Sequence, residues 1–315
     1  MKNPIIISFV FLVSLLFPFY SEELLNNPAY IAQTGYGETK EIAENNALSA
    51  ISKFFQTSIS VSTKEQTVIT ESKSESKISE EIFVKSQTEL FAVRYTKAKF
   101  DRKQKLYEVT AYINRDEAWR IYEPKLKELS DSFESLYITA ISQDDPLLKI
   151  SWLSKAFDNA NENGLQKKLD FAQALNPTES ENFSITRTHF SEIEPMISTL
   201  AGKCSINTIC DVGVDENISK SANEMFSKIG ILVVKENPDY LCVLKITENS
   251  QPLPAGTFFS PIISMDIRRS EKILFSWNRQ LKKIGAKNEK VARQRAYSLI
   301  SQTISDLLKN EFMPF

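Results

Sequence analysis

A change of hydrophobic period along the chain limits its fold more than any other feature. Residues 30–122 and 205–312 mix strand-like alternation with helical stripes, whereas residues 125–175 carry helical stripes alone. A sheet buries one face and a helix one stripe, so each mixed stretch can form its own sheet-plus-helix unit. The expected fold class is therefore α+β, two small sheet-plus-helix units joined by a helical segment. The boundaries read as 1–21 for a leader, 22–124 for the first unit, 125–199 for the helical hairpin or linker, and 200–315 for the second unit.

In the first unit, residues 30–37 read as a short strand ending in a glycine turn at Gly35 and Gly37. A helix follows over 38–55, with Ala43, Ala47, Ile51 and Phe55 on one stripe. Residues 57–88 are rich in Ser, Thr, Lys and Glu; Ile59 and Val61 alternate like a strand, and the remainder reads as an exposed extension. Residues 89–100 and 106–113 are strand candidates joined by a turn at 101–105. Asn114 or Asp116 can then cap a helix bearing Ala118, Trp119, Ile121 and Tyr122.

The helical segment has stripes at Leu126, Leu129, Phe133, Leu136 and Tyr137, then at Leu147, Leu148, Ile150, Leu153 and Phe157. Asp145 and Pro146 break them apart, and Gly164 interrupts before residues 165–175. Asn176 and Pro177 end this section, and residues up to Leu200 read as a strand and a short helix. In the second unit, strands are expected at 209–214, 231–234, 240–246, 258–267 and 272–277. Residues 252–254 read as a loop. Helices are expected over about 218–229, ended by Gly230, and over 288–312. The order β-α-β-β-β-β-α predicts a mostly antiparallel sheet with two helices on one face.

Compartment is read from the N-terminus. Lys2 precedes an apolar run from Pro4 to Tyr20, and polar residues begin at Ser21. This is the pattern of a secretory signal with cleavage after Ser21; an uncleaved anchor is the other reading of about 17 apolar residues. The first cysteine is Cys204, so no lipid-attachment Cys follows the leader. Export permits disulfides, yet Cys204, Cys210 and Cys242 are equally readable as small buried hydrophobes. A Cys204–Cys210 bridge requires the chain to bend between them.

Residues 28–52, with the Gly35-x-Gly37 turn and the repeated Ala43, Ala47 and Ala50, resemble the opening of the twenty-kilodalton outer-membrane lipoprotein (LPP-type) family. The hairpin at 107–113 and the Ala118-to-Tyr122 helix continue the resemblance, which covers residues 28–125. The missing lipid-attachment Cys departs from that family. Gly230 with the strand after it, and residues 238–246, resemble the amino-terminal α/β unit of TolB-type periplasmic proteins over residues 203–315. A similar pairing of units occurs in the periplasmic ring proteins of sheathed flagellar motors. The resemblances imply structural or adaptor roles in the envelope and supply no catalytic residues.

Scarcity limits the chemistry. His189 is the only histidine, and the chain has eight glycines. No site of several imidazoles can be built, and any Ser-His or Cys-His pair must use that one residue. Gly35 and Gly37 sit where a dinucleotide fingerprint begins, but position 40 is Lys, so close strand–helix packing is the better reading. Gly202 and Lys203 lack the rest of a phosphate loop. His189 with Glu192 and Glu194 reads as a surface histidine rather than a metal set, and Asp144 and Asp145 as helix punctuation rather than an acid–base pair. No enzyme activity, metal or cofactor is expected.

Charge is unevenly placed. The chain carries 38 Lys plus Arg against 40 Asp plus Glu, a net charge of −2. Residues 22–199 hold 21 basic and 28 acidic side chains, whereas residues 200–315 hold 16 and 12. The basic set Arg268, Arg269, Lys272, Arg279, Lys282, Lys283, Lys287, Lys290, Arg293 and Arg295 is opposed locally by Asp266, Glu271 and Glu289. It is a candidate anion- or partner-binding face, for lipid headgroups, an acidic wall polymer or an acidic protein; a solvated hairpin and helix is the plain alternative. The expected function is a non-enzymatic exported envelope protein, periplasmic or outer-membrane-associated, acting as adaptor or structural component of a surface or motility assembly. Its expected partners are other envelope proteins or the outer-membrane surface, or further copies of itself, and not nucleic acid. The rival classes are a periplasmic binding module for an anionic polymer or small ligand, and an exported hydrolase.

Overall fold

A computed structural model describes residues 21–66, 93–210 and 216–313. The leader and most of the polar extension lie outside the described residues. The fold is α+β, and the chain divides into two units. One runs to Lys125 and includes Asp170–Glu181; the other comprises Leu126–Leu169 and Asn182 onward. The helical segment is therefore shared between the units rather than forming a body of its own.

The first unit begins with α1 (Ser21–Leu25) and β1 (Tyr30–Gly37). Helix α2 (Lys40–Gln66) follows, then β2 (Arg94–Tyr95), β3 (Lys99–Asp101) and β4 (Leu106–Asn114). β1 pairs antiparallel with β4 along its whole length, from Tyr30 opposite Asn114 to Gly37 opposite Tyr107. β2 and β3 both pair with the other edge of β4. The strand expected over 89–100 is thus two short strands. Between them Thr96 binds Thr110 twice, by its amide to the carbonyl at 2.9 Å and through its hydroxyl to the amide at 3.0 Å.

Helix α2 lies on β1 and β4 and buries Ala43, Ala47, Ile51, Phe55 and Ile59, a stripe spaced four residues apart. It runs past the expected end at residue 55, so the strand reading of residues 59–62 is incorrect. Ile59 continues the helical stripe, and burial on that stripe outweighs the β preference of a branched residue. Gly35 and Gly37 share the strand face beneath the helix. A Cβ on Gly35 would lie 2.2 Å from the Ala47 amide nitrogen and 2.3 Å from the Ala43 carbonyl oxygen. The Gly-x-Gly spacing thus serves close strand–helix contact, and Asn46 Nδ2 closes it by donating to the Tyr36 carbonyl at 2.7 Å.

α3 (Arg115–Ile141) starts at once after β4, with Asn114 Oδ1 accepting from the Glu117 amide at 2.9 Å. It runs unbroken through Pro124, where two separate stripes were expected. Next come α4 (Pro146–Glu162), α5 (Leu165–Leu175), α6 (Pro177–Ser180) and α7 (Ser184–Ala201). α7 replaces the strand and short helix expected before Leu200. In the first unit, Phe171 of α5 stacks on Phe55 at 4.4 Å between ring centroids and lies 5.1 Å from Tyr122. Arg115 donates to the carbonyls of Ala174 and Leu175 at the end of α5.

In the second unit, α7 packs on α4. The α/β part follows as β5 (Ser205–Cys210), α8 (Glu216–Ile229), β6 (Leu232–Val233), β7 (Tyr240–Thr247), β8 (Ser250–Leu253) and β9 (Gly256–Phe259). β10 (Ile262–Arg269), β11 (Lys272–Gln280), β12 (Ile284–Ala286) and α9 (Glu289–Leu307) complete it, with a π-helical turn at Leu308–Phe312. Five strands form a sheet in the order β11-β10-β7-β5-β6.

That sheet is mixed rather than mostly antiparallel. β5 pairs in parallel with both β6 and β7, because α8 carries the chain over to β6. Gly230, at φ 93°, ends α8 as expected. A second, three-stranded antiparallel sheet, β12-β9-β8, was not expected. It takes up the 252–254 loop and splits the 258–267 strand at Ser260 and Pro261. Its Phe259 packs on Ala292 and Ala296 of α9. The turn at Leu308–Phe312 is anchored by Ser151 of α4, whose hydroxyl donates to the Phe312 carbonyl, and by Phe275 of β11 at 4.7 Å.

Candidate functional site

The ten basic residues singled out in the sequence occupy three different places in the second unit. Arg268 and Arg269 end β10. Strand alternation sends Ile263, Met265 and Ile267 into the core and Ser264, Asp266 and Arg268 to the opposite sheet face. There Asp266 accepts from the Ser276 hydroxyl at 2.7 Å and from Arg268 at 2.6 Å. The Ser276 bond, followed by Arg268, holds the Asp266 carboxyl below its ordinary pKa. Arg268 is therefore engaged within the sheet.

Arg269 lies past a bulge between Ile267 and Arg268 and reaches Asp145 at 3.2 Å. Asp145 is the N-cap of α4, accepting from the Leu147 and Leu148 amides at 3.0 and 3.2 Å. It also accepts from the buried Tyr240 hydroxyl at 3.2 Å, over whose ring Arg269 sits at 5.5 Å. Burial and the nearby Asp145 charge raise the Tyr240 pKa. Helix punctuation is the role Asp145 was expected to have. Its brace to β7 and β10 was not legible, because Tyr240 and Arg269 lie far from it in sequence. Lys272 is exposed at the start of β11.

Arg279, on β11, pairs with Glu311 at 3.4 Å and lies over the Trp277 ring at 5.2 Å. These residues line a cleft of about 220 Å³ with Thr303, Asp306 and Asn310. Trp277 carried no sequence signal for this cleft.

The other six cluster around the small sheet and the first turns of α9. Lys283 donates to Gln251 at 3.0 Å and sits over the Phe258 ring at 5.0 Å. Arg293 bridges Glu248 at 3.4 Å and Glu289 at 3.3 Å, and Arg295 donates to the Gly285 carbonyl at 3.4 Å. Lys282, Lys287 and Lys290 are exposed and have no ion pair among the described residues.

His189 stacks on Tyr137 at 4.2 Å, and its Nδ1 lies 2.8 Å from Glu134 rather than meeting Glu192 or Glu194. Among the described residues no group of three His, Cys, Asp or Glu side chains is placed to hold a metal. The cysteines are free thiols. The extended strand β5 separates Cys204 from Cys210, which removes the bend their bridge required. Burial pushes the Cys242 thiol up to about 12 and raises that of Cys204. Among the described residues no helix is long and apolar enough to cross a membrane.

No protein-family model and no curated protein matches the chain. Among solved structures, it is similar to the secreted protein HP1454 from Helicobacter pylori. The TM-score is 0.34 at 13% identity, covering 88% of this chain and 98% of the other. It is also similar to a minor lipoprotein from Acinetobacter baumannii, at TM-score 0.27 and 11% identity, covering 34% of this chain and 92% of that one. Likeness at these scores carries no argument for fold or role.

Proposed function

We propose that this chain is a non-enzymatic exported protein of the cell envelope. In this reading it is an adaptor or structural component on the periplasmic side or at the outer membrane, within a surface or motility assembly. The observation that carries the reading is the exposed basic cluster around β12 and the start of α9. Lys282, Lys287 and Lys290 are exposed there without ion pairs among the described residues, in the 200–315 stretch that holds 16 basic and 12 acidic side chains. Cations held clear of internal partners are suited to an anionic surface or partner. The apolar run from Pro4 to Tyr20 supports export. The strand–helix contact through Gly35 and Gly37 supports the LPP-type reading of the first unit.

Fractionation of cells, with crosslinking in intact cells, tests this reading. It expects the protein in the envelope fraction, crosslinked to envelope proteins or to itself, and a deletion strain impaired in envelope integrity, surface assembly or motility. Recovery from the cytoplasm, or a deletion with none of these defects, would remove it.

The Trp277–Arg279 cleft favours a second reading, a binding module for a small ligand. It sets Arg279, Thr303, Asp306, Asn310 and Glu311 beside the Trp277 ring, a polar lining with room at about 220 Å³ for a small polar ligand stacked on the indole. Trp277→Ala would then abolish ligand-induced thermal stabilisation in a screen of envelope sugars and peptides.

A further inference from the structure

The hairpin of β8 and β9 ends in an apolar tip. Pro252, Leu253, Pro254 and Ala255 are all exposed, Leu253 at 41% of its full area. Leu253 pairs with Gly256, so Pro254 and Ala255 form a tight two-residue turn. Gly256, at φ 136°, is where the turn presses on the end of β12. A Cβ there would lie 2.4 Å from the Ala286 carbonyl oxygen and 3.0 Å from Lys287 Cα. Lys287 therefore leaves β12 directly beside the tip. The Asn288 side chain caps α9 by accepting from the Lys290 amide at 2.8 Å, which fixes the turn carrying Lys290.

The small sheet is two-faced. Phe259 faces α9, while Gln251, Phe258 and Gly285 are paired in one row on the other side. The Phe258 ring lies close over Gly285, where a Cβ would come within 2.4 Å of ring atoms. Lys283 sits above that ring. The nearby acids are already held, Glu289 by Arg293 and Glu248 by Arg293 and Tyr297.

An exposed apolar tip beside Lys287 and Lys290, which have no ion pair among the described residues, matches a surface that presents negative charge and hydrocarbon together. A soluble polyanion would use the lysines and leave the tip in water. We propose that this hairpin docks the protein on an anionic phospholipid surface. Leu253 and the flanking prolines enter the acyl boundary, and Lys287 and Lys290 bind headgroups beside it. The proposal rests on the envelope reading above and adds to it the identity of the surface bound.

The test uses the full chain with vesicles of phosphatidylcholine alone and of phosphatidylcholine mixed with phosphatidylglycerol. The apolar N-terminal run is present in every variant, so comparison between variants isolates the hairpin. Lys287→Glu with Lys290→Glu is expected to lower partition to the mixed vesicles about tenfold or more, with neutral vesicles unaffected. Leu253→Trp is expected to add a blue-shifted emission component, absent from the parent protein, that brominated acyl chains quench in the mixed vesicles. Circular dichroism checks that the variants remain folded. Unchanged partition of the charge-reversed variant, or emission from the introduced indole that brominated chains do not quench, would overturn the proposal. Binding to dextran sulfate with the same charge sensitivity but no quenching would also overturn it, in favour of a soluble polyanion. Since localisation is read separately by fractionation, failure with vesicles leaves the envelope reading standing.

Discussion

At the scale of single residues, Gly35 is the most tightly enclosed glycine among the described residues. Its missing Cβ is the space through which α2 backbone approaches β1, and the obstructing atoms are backbone rather than a mobile side chain. Gly35→Ala should therefore destabilise the protein by about 3 kcal/mol, measured by urea unfolding. Asp266 sets a pH dependence. Its folded pKa is depressed, so its contribution to stability is full above the unfolded value, near pH 4, and is lost as pH falls through the folded value. Asp266→Asn should flatten the acid side of the stability–pH curve in thermal melts below pH 5. The buried thiols give a third expectation: iodoacetamide at pH 8 should spare Cys204 and Cys242 in the folded protein and modify both after unfolding.

At the scale of elements, α4 depends on Asp145 both for its first turn and for its link to the sheet. Asp145→Ala should cost about 1 kcal/mol through the cap alone. It also leaves the buried Tyr240 hydroxyl without this acceptor. Asp145→Asn keeps an acceptor for the cap and should recover most of the loss, which thermal denaturation would show. Local chemistry made several boundaries readable: Asn114 as a cap, Asp145 and Asn176 as breaks that the structure uses as N-caps, and Gly164 and Gly230 at positive φ as stops. It misled at Ile59, where local alternation suggested a strand and the helical stripe prevailed. It was silent on β12 and on the β8–β9 hairpin, whose short strands carry too few residues to show a period.

At the scale of the whole molecule, the first unit is discontinuous in sequence. Phe171, Ala172 and Leu175 are buried, and Phe171 stacks on Phe55 within that unit. A fragment of residues 22–125 should consequently lose cooperative unfolding, and one that retains the α5 segment should keep it, as followed by circular dichroism in urea. The α+β class, the period of most elements and the residues that punctuate them are carried by the amino-acid sequence alone, because those depend on neighbours within a few residues. The sequence also picked out the basic residues of the last third. Tertiary packing settles which of them are engaged in braces, with Arg268 on Asp266 and Arg269 on Asp145, and which have no ion pair among the described residues and sit beside an apolar turn. The parallel pairing of β5, the second sheet and the place of Phe171 were decided there too. Each rests on contacts between residues far apart in the chain, and packing, not local propensity, selects those contacts.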